Sequence, residues 1–277
     1  DPKGVVYSHR SIYLHSLQIG LASTLGIGPT DRVLPVVPMF HANAWGLVHG
    51  ALATGASLVL PDRFLQAEPL AKMIEQERVT AGGGVPTIWA DLLNYLDTHE
   101  VDTSSLRAVL VGGSACPPAL MKAYDERHHI HVLHAYGMTE TSPLVSVAIP
   151  PPGVEGDEAF RYRVTQGRLA VGVQARIVAP DGTVLPWDGK AQGELELAGP
   201  WITGSYFRAT PEDLVEKFDD GWLRTGDIAT ITPDGYLTLT DRVKDVIKSG
   251  GEWISSVDLE NALMGHPAVL EASVVGV

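Results

Sequence analysis

Short apolar runs alternate with amphipathic stretches over the first 148 residues of the chain. Residues 33–37 and 57–60 have the length and composition of buried strands, and residues 107–111 and 131–134 repeat that pattern. Helical stretches separate these runs along the sequence. This strand–helix alternation predicts an α/β fold with a mostly parallel sheet that helices cover on its faces.

Proline, glycine and helical spacing mark the connections between those strands. Leu70 and Ile74 fall on one face of a helix predicted over residues 68–78. Residues 79–84 are expected to lead into a glycine turn, and Pro86 is expected to start the next helix.

The pattern changes after residue 148, where three prolines and a glycine interrupt the chain. Short strands are predicted at residues 174–178, 194–197 and 236–239, near Asp-Gly turn signals. We therefore expect a small antiparallel, β-barrel-like subdomain over residues 149–240. Residues 241–277 show a basic strand-turn, two glycines, a helix over about 256–264 and a β-rich end, which is the start of a small α+β unit.

Composition narrows the classes of partner. The net charge of −13 argues against a nucleic-acid binder, which would normally show a basic face, but leaves room for ATP or another anion held by local cations and backbone N–H groups. Cys116 is the single cysteine, so an internal disulfide is excluded and a cytoplasmic location is expected. No apolar stretch reaches the ~20 residues of a membrane span. The chain opens at Asp1 without an initiator Met, and we expect it to be an internal fragment.

The most informative run is Tyr136-Gly137-Met138-Thr139-Glu140. An aromatic face can stack on a purine, a hydroxyl can bond a phosphate oxygen, and one carboxylate can hold Mg²⁺ together with phosphate oxygens. The run therefore predicts an ATP–magnesium site on one loop. Taken alone, the run is more typical of a polar turn between a strand and a helix, and only the other motifs reverse that interpretation.

Other segments carry compatible chemistry. Residues 112–115 (Gly-Gly-Ser-Ala) follow a predicted buried strand, at the sheet edge where α/β folds bind ligands. Residues 221–227 end in Gly226-Asp227, and an aspartate there can accept both hydroxyl protons of a ribose. Residues 241–245 supply fixed charges beside Ser249-Gly250-Gly251, although such a run is also typical of a solvated face.

Two further candidates are weaker when taken alone. Lys3 beside Gly4 suits the end of a phosphate-binding loop, but it equally suits an ordinary turn. His41 lies among apolar residues, where a histidine is more often a core residue than a ligand-binding one. No Gly-x-Ser-x-Gly motif occurs, so a hydrolase triad is unsupported.

Read in order, these motifs resemble the adenylate-forming superfamily of acyl-CoA synthetases, peptide-synthetase adenylation domains and luciferases. The segments 41–45 (His-Ala-Asn-Ala-Trp) and 248–255 (Lys-Ser-Gly-Gly-Glu-Trp-Ile-Ser) are most similar to medium- and long-chain fatty-acyl-CoA synthetases. The resemblance implies that residues 1–240 are part of a large AMP-binding domain. Residues 241–277 are then the hinge and the truncated start of a carboxyl-terminal domain.

The resemblance also implies roles for individual residues. Thr139, Glu140 and Lys3 are expected in catalysis, with Glu140 on Mg²⁺, and Asp241 and Lys244 at the hinge. His41, Trp45 and His134 are expected in the acyl pocket, where Trp45 acts as a gate. The residues expected to bind ATP or AMP are Gly113, Ser114, Ala135, Tyr136, Gly137, Thr139, Asp227, Arg242, Lys244, Lys248 and Trp253.

The function implied is ATP-dependent activation of a fatty acid to an acyl-adenylate and then to a coenzyme A thioester, with Mg²⁺. His134-Ala135 departs from the polar residue and glycine that relatives often carry before the tyrosine, so chain length stays open. A carrier-protein-loading adenylation domain and a non-catalytic nucleotide-binding module stay open as alternatives, as does a homodimer of the complete protein. The 277 residues alone are expected not to turn over.

Overall fold

The fold is described from a computed structural model that covers residues 3–243, 247–249, 252–254, 256–264, 266, 268, 269 and 272–275. Within that part of the chain the strands are β1 (Arg32–Pro35), β2 (Ser57–Leu58), β3 (Ala81–Gly84), β4 (Ala108–Val111), β5 (His131–Gly137), β6 (Leu144–Val147), β7 (Gly167–Leu169), β8 (Gln174–Val178), β9 (Val184–Leu185), β10 (Gly193–Ala198), β11 (Phe218–Asp219), β12 (Trp222–Ile231), β13 (Tyr236–Arg242), β14 (Ile247–Ser249) and β15 (Glu252–Ile254).

The helical segments separate these strands. They are α1 (His9–Gly20), α2 (Ala42–Trp45), α3 (Leu47–Thr54), α4 (Ala67–Gln76), α5 (Pro86–Leu96), α6 (Pro118–Ala123), α7 (Gly156–Arg163), α8 (Pro211–Lys217) and α9 (Ser256–Met264), with a π-helical turn at Tyr124–His128 and a 3₁₀ turn at Thr139–Thr141. Ser8 caps α1 through its Oγ, which accepts from the Ser11 N–H at 3.0 Å. Among the described residues, no helix combines the length and apolar character needed to cross a membrane.

Thirteen strands form one sheet, whose order is β2-β1-β3-β4-β5-β6-β7-β13-β12-β10-β8-β9, with β11 beside β12. The β2-β1-β3-β4-β5 part is parallel and the rest is antiparallel. The predicted α/β class is confirmed. The antiparallel part continues the parallel sheet through β5, and the strand path is open from β2 to β9.

Helices cover both faces of the parallel part, as the apolar runs predicted. Along β4, Ala108 and Leu110 belong to one buried apolar cluster, while Val109 and Val111 belong to the other. This alternation is the two-residue period of a strand. The first cluster includes residues of α1 and α3, and the second includes residues of α4, α5 and α6.

Glycines 82–84 were expected to form a turn, and that prediction is wrong, because they lie in the buried central strand β3. Bulky neighbours pack directly on their backbone. A Cβ at Gly82 would lie 2.7 Å from the Trp89 ring, and one at Gly83 would lie 2.5 Å from Leu47 Cδ1. The strand therefore needs glycine for close approach rather than for a turn.

Boundaries elsewhere follow the predictions closely, with three differences. The described residues of the predicted β-rich end, 269 and 272–275, are not in a strand. The strand predicted at residues 131–134 continues to Gly137, so Tyr136 lies in β5 rather than in a loop. Residues 221–227 contribute to β12 rather than to an isolated turn. The division of the chain at residues 148 and 240 stays a prediction, and the sheet is continuous across residue 148.

Candidate active site

A cavity of about 1490 Å³ opens at the carboxyl ends of β4 and β5. The turn that includes Gly113 and Ser114 follows β4 and forms one wall, and the ends of β12 and β13 form another. Ser256 and Glu260 of α9 also line the cavity. The position agrees with the rule that open α/β sheets bind ligands beyond the carboxyl ends of their strands.

Tyr136 and Asp227 meet in the wall of this cavity, although 91 residues separate them. The Tyr136 hydroxyl donates to Asp227 Oδ2 at 2.6 Å. On the other carboxylate oxygen, Arg242 Nε lies 3.5 Å from Oδ1, since Asp227 and Arg242 are paired across β12 and β13. The interpretation of the motifs required the tyrosine and the aspartate to lie close together, and the two side chains are in direct contact in the structure.

Burial controls the protonation of this pair. It raises the pKa of Asp227, while the hydrogen bond from Tyr136 and the charge of Arg242 act to lower it. The pKa of the Tyr136 hydroxyl is raised first by burial and then by the neighbouring carboxylate. The hydroxyl therefore stays protonated and donates to the carboxylate.

The turn after β5 is held by its backbone. A Cβ at Gly137 would lie 2.2 Å from the Pro143 carbonyl oxygen, so the position requires glycine. The Thr139 carbonyl accepts from the Tyr7 hydroxyl at 2.8 Å, and Thr139 itself is exposed. Burial, with the Glu140 charge second, raises the pKa of Tyr7 to about 12.

Glu140 extends from this turn and is oriented by a residue that the sequence did not reveal. The Tyr206 hydroxyl donates to Glu140 Oε1 at 2.6 Å, and the Glu140 carbonyl accepts from the Thr203 N–H at 2.8 Å. Burial, and next the hydrogen bond to Glu140, raises the pKa of Tyr206. The second carboxylate oxygen of Glu140 is the candidate metal ligand.

Lys3 lies beside the same group. Its ammonium forms an ion pair with Asp213 near the start of α8 and lies 5.6 Å from the centre of the Tyr206 ring. Lys3 is exposed and lines the larger cavity, and its ammonium is paired with Asp213 in this structure.

The donor set fits magnesium held jointly with a substrate. Within the described residues, no group of three His, Cys, Asp or Glu side chains could form a protein-only metal site. A single carboxylate such as Glu140 is nevertheless sufficient when substrate phosphates supply further oxygens, as Mg²⁺ sites in phosphate enzymes do.

A second cavity, of about 310 Å³, adjoins the first and holds His41 and Trp45. Residues 42–45 form a left-handed turn with φ between 46° and 56°, which is rare for residues other than glycine. It sets the Trp45 indole against the glycine turn, where Cβ positions of Gly112 and Gly113 would lie 3.7 Å and 3.5 Å from the ring. Trp45 thus lines the smaller cavity, and its ring packs near Gly113, which lines both cavities.

The remaining predicted residues divide between the cavities. Ala135 and Gly137 line both, whereas His134 lines the larger one and not the smaller one that holds His41 and Trp45. His134 is buried, and desolvation lowers its pKa to about 4.

At the predicted hinge, Asp241 is buried and its Oδ2 accepts from the Ser256 N–H at 2.9 Å. Lys244 lies outside the described residues, and for Lys248 and Trp253 only the backbone strands are described.

Sequence reasoning missed Tyr206 and Tyr7. Each acts through a tertiary contact and stands in no motif: Tyr206 is 66 residues from Glu140, and Tyr7 is 132 residues from Thr139. A tyrosine near a glycine is too common a pattern to have identified either one.

Comparison with known proteins gives a consistent result. The AMP-binding enzyme family matches residues 1–207. The chain is 46% identical to the long-chain-fatty-acid–CoA ligase of Thermus thermophilus and 45% identical to the 3-methylmercaptopropionyl-CoA ligase of Ruegeria lacuscaerulensis. Both alignments include 100% of this chain and 51% of the relative. The chain therefore spans about half the length of these curated relatives.

Among solved structures, the O-succinylbenzoate coenzyme A synthetase of Bacillus subtilis, solved in complex with ATP and magnesium ion, superimposes with a TM-score of 0.85 at 30% identity. That match covers 100% of this chain and 55% of the synthetase. Since the family match includes three quarters of the residues, and since the site geometry agrees with it, this chain belongs to the family of AMP-binding enzymes.

Proposed function

We propose that the complete protein containing this chain activates a carboxylic acid with ATP and then transfers the acyl group to coenzyme A. The proposed carboxylic acid is a fatty acid or an analogue about as large as that fatty acid. Family membership supports adenylate chemistry. The names of the relatives support coenzyme A as acceptor and a fatty or thioether-containing acid as substrate.

The contact between Tyr136 and Asp227 carries the proposal. The ring of Tyr136 offers a stacking face for adenine beside Gly113 and Ser114. Asp227 is left with acceptor capacity after its bond from Tyr136, because a carboxylate has about four lone-pair sites. It can therefore accept the ribose hydroxyls of the same nucleotide.

The phosphates would then lie towards the turn after β5. Thr139 offers a hydroxyl, Lys3 offers an ammonium, and Glu140 would hold Mg²⁺ with its free oxygen. When bound, the metal offsets negative charge on the phosphates. Tyr206 keeps the Glu140 carboxylate aimed at this position, so the contribution of the chain is positioning and electrostatics.

The acid would enter the smaller cavity. Both cavities are lined by Gly113, Tyr136 and Glu140, so an acid in one faces a nucleotide in the other. A carboxylate oxygen attacks the α-phosphorus of ATP, the new O–P bond forms, and the bond to pyrophosphate breaks. The sulfur of coenzyme A then attacks the acyl carbon and AMP leaves. We assign a hinge for the change between the two steps to residues 241–244.

The test is ATP–pyrophosphate exchange by the complete protein. We expect Glu140→Ala to lower the exchange rate on the order of 100-fold, as loss of one positioned electrostatic group does. Glu158→Ala is the matched control, because Glu158 lies exposed in the first turn of α7. Normal pyrophosphate release by Glu140→Ala would contradict the metal role. Absence of exchange in the wild-type protein with every acid would contradict the function.

A further inference from the structure

The smaller cavity is lined by one buried histidine that the proposed mechanism does not use. His15, on α1, is 2% exposed and lines the cavity, and its Nε2 has no hydrogen-bond partner among the described residues. The aliphatic residues that line the same cavity include Ile19, Leu25, Leu47, Leu110 and Leu144. Its polar lining residues besides His15 are His41, Tyr136, Thr139, Glu140 and Arg242.

The position of the imidazole is fixed by the left-handed turn. The backbone of Gly46, with φ of 70°, packs against the imidazole, and a Cβ at this position would lie 2.5 Å from His15 Cε1. The contact is made by the Cε1–Nδ1 edge, because Nε2 would lie 3.6 Å from the same Cβ. The ring therefore cannot turn freely to find another partner.

Burial also fixes the charge of the ring. Desolvation, with the nearby His49 second, lowers the pKa of His15 to about 4. At neutral pH the imidazole is uncharged, with one nitrogen that donates and one that accepts. A buried polar atom that stays unpaired costs about 1–3 kcal/mol, and an aliphatic side chain would avoid that cost.

The size of the cavity limits the acid. At about 30 Å³ for each non-hydrogen atom, the share of a water molecule in the liquid, 310 Å³ holds roughly ten such atoms. Octanoate is about that size. The cavity is thus suited to a short or medium-length acid whose chain reaches His15.

We propose that His15 is a specificity-determining residue, which hydrogen-bonds a polar atom on the chain of a short or medium-length acid. The acid class favoured is a hydroxy acid, because a hydroxyl can both donate and accept and so pairs with either tautomer of the ring. This inference rests on the proposed function, since it concerns the acid site of the same enzyme.

The test compares octanoate with its mid-chain and terminal hydroxy isomers, using kcat/KM of the complete protein. We expect the wild-type protein to favour at least one hydroxy isomer over octanoate. In His15→Leu that preference falls about tenfold, the value of one net hydrogen bond, while kcat/KM for octanoate is kept or raised. His15→Asn should restore part of the preference.

His49→Leu is the matched control, because it removes a nearby histidine that does not line the cavity. A second measurement needs no turnover: the shift in melting temperature caused by non-hydrolysable acyl-adenylate analogues of octanoate and of the favoured hydroxy acid. We expect the difference between the two shifts to shrink in His15→Leu and to persist in His49→Leu.

Two results would overturn the inference alone. One is a wild-type protein that turns over octanoate but favours no hydroxy isomer. The other is a His15→Leu variant in which kcat/KM for octanoate and kcat/KM for the hydroxy acid change by the same factor. A wild-type protein that adenylates no acid would instead refute the proposed function, and this inference with it.

Discussion

The hydrogen bond between Tyr136 and Asp227 gives the most direct test of the site. Tyr136→Phe keeps the aromatic ring and removes only the hydroxyl that donates at 2.6 Å. The acceptor is a carboxylate whose side chain is 13% exposed, so the lost bond is one to a largely buried charge. Such bonds contribute about 1.5–3 kcal/mol. Arg242 cannot replace it, because its side chain is 64% exposed and an exposed pair contributes about 1 kcal/mol or less.

We therefore expect Tyr136→Phe to lower the free energy of unfolding by about 2 kcal/mol at neutral pH. Tyr236→Phe is the matched control. Its hydroxyl donates at 2.7 Å to the uncharged carbonyl of Ile149, so its loss should cost about 1 kcal/mol. Urea unfolding followed by tryptophan fluorescence measures both values.

The stability difference between wild type and Tyr136→Phe should also depend on pH, in a direction that the pKa of Asp227 determines. The pKa of Asp227 in the folded protein lies above its ordinary value of 3.8, and the bond from Tyr136 acts to lower it. Without that bond the pKa rises further, so the difference between wild type and Tyr136→Phe is present while Asp227 is ionised. This difference in stability shrinks as the pH falls towards 3.8, because Asp227 becomes protonated first in folded Tyr136→Phe and then in the folded wild-type protein. The reasoning would be refuted if Tyr136→Phe lost no more free energy of unfolding than Tyr236→Phe does. It would also be refuted if the loss were the same at neutral pH and near pH 3.8.

Two further predictions concern stability. Gly137→Ala should destabilise the protein by about 1–3 kcal/mol, because the new Cβ would meet the Pro143 carbonyl; Gly28→Ala, where nothing lies within 4 Å, should be close to neutral in the same urea titration. Because burial lowers the pKa of both His15 and His134 from 6.5 to about 4, stability should be lost as the pH falls from about 6.5 to about 4, by on the order of 3 kcal/mol for each histidine. Thermal unfolding across this range should show a smaller loss in His15→Leu, and an equal loss in both proteins would contradict the assignment.

Local pattern was enough to predict four of the five strands in the parallel part of the sheet, β1, β2, β4 and β5. The apolar runs at 107–111 and 131–134 correspond to β4 and β5, because a buried parallel strand needs a continuous apolar run that turn residues bound. The three glycines of β3 carry no such signal. Their strand is specified by Trp89 and Leu47, which lie elsewhere in the sequence.

The residues of the candidate site also fall into two groups, those that the sequence predicts and those that only the fold reveals. Tyr136, Glu140 and Asp227 could be predicted because each stands in a motif with a chemical reason. Tyr206 and His15 could not be predicted, since Tyr206 meets Glu140, and His15 comes to line the smaller cavity, only after the chain has folded. His134 was expected in the acyl pocket from its neighbourhood in the motif. It lines the larger cavity and not the smaller one, and its role stays a prediction.

The glycine strand β3 has a consequence for how the sheet is assembled. Glycine loses more freedom on ordering than any other residue, and these three bring no side-chain burial of their own to offset that loss. Their order must come from the two neighbouring strands and from the indole laid across them. The central strand of the parallel part therefore depends most on its neighbours for its order. We expect its amide protons to become protected from solvent exchange only once β1, β4 and α5 are in place.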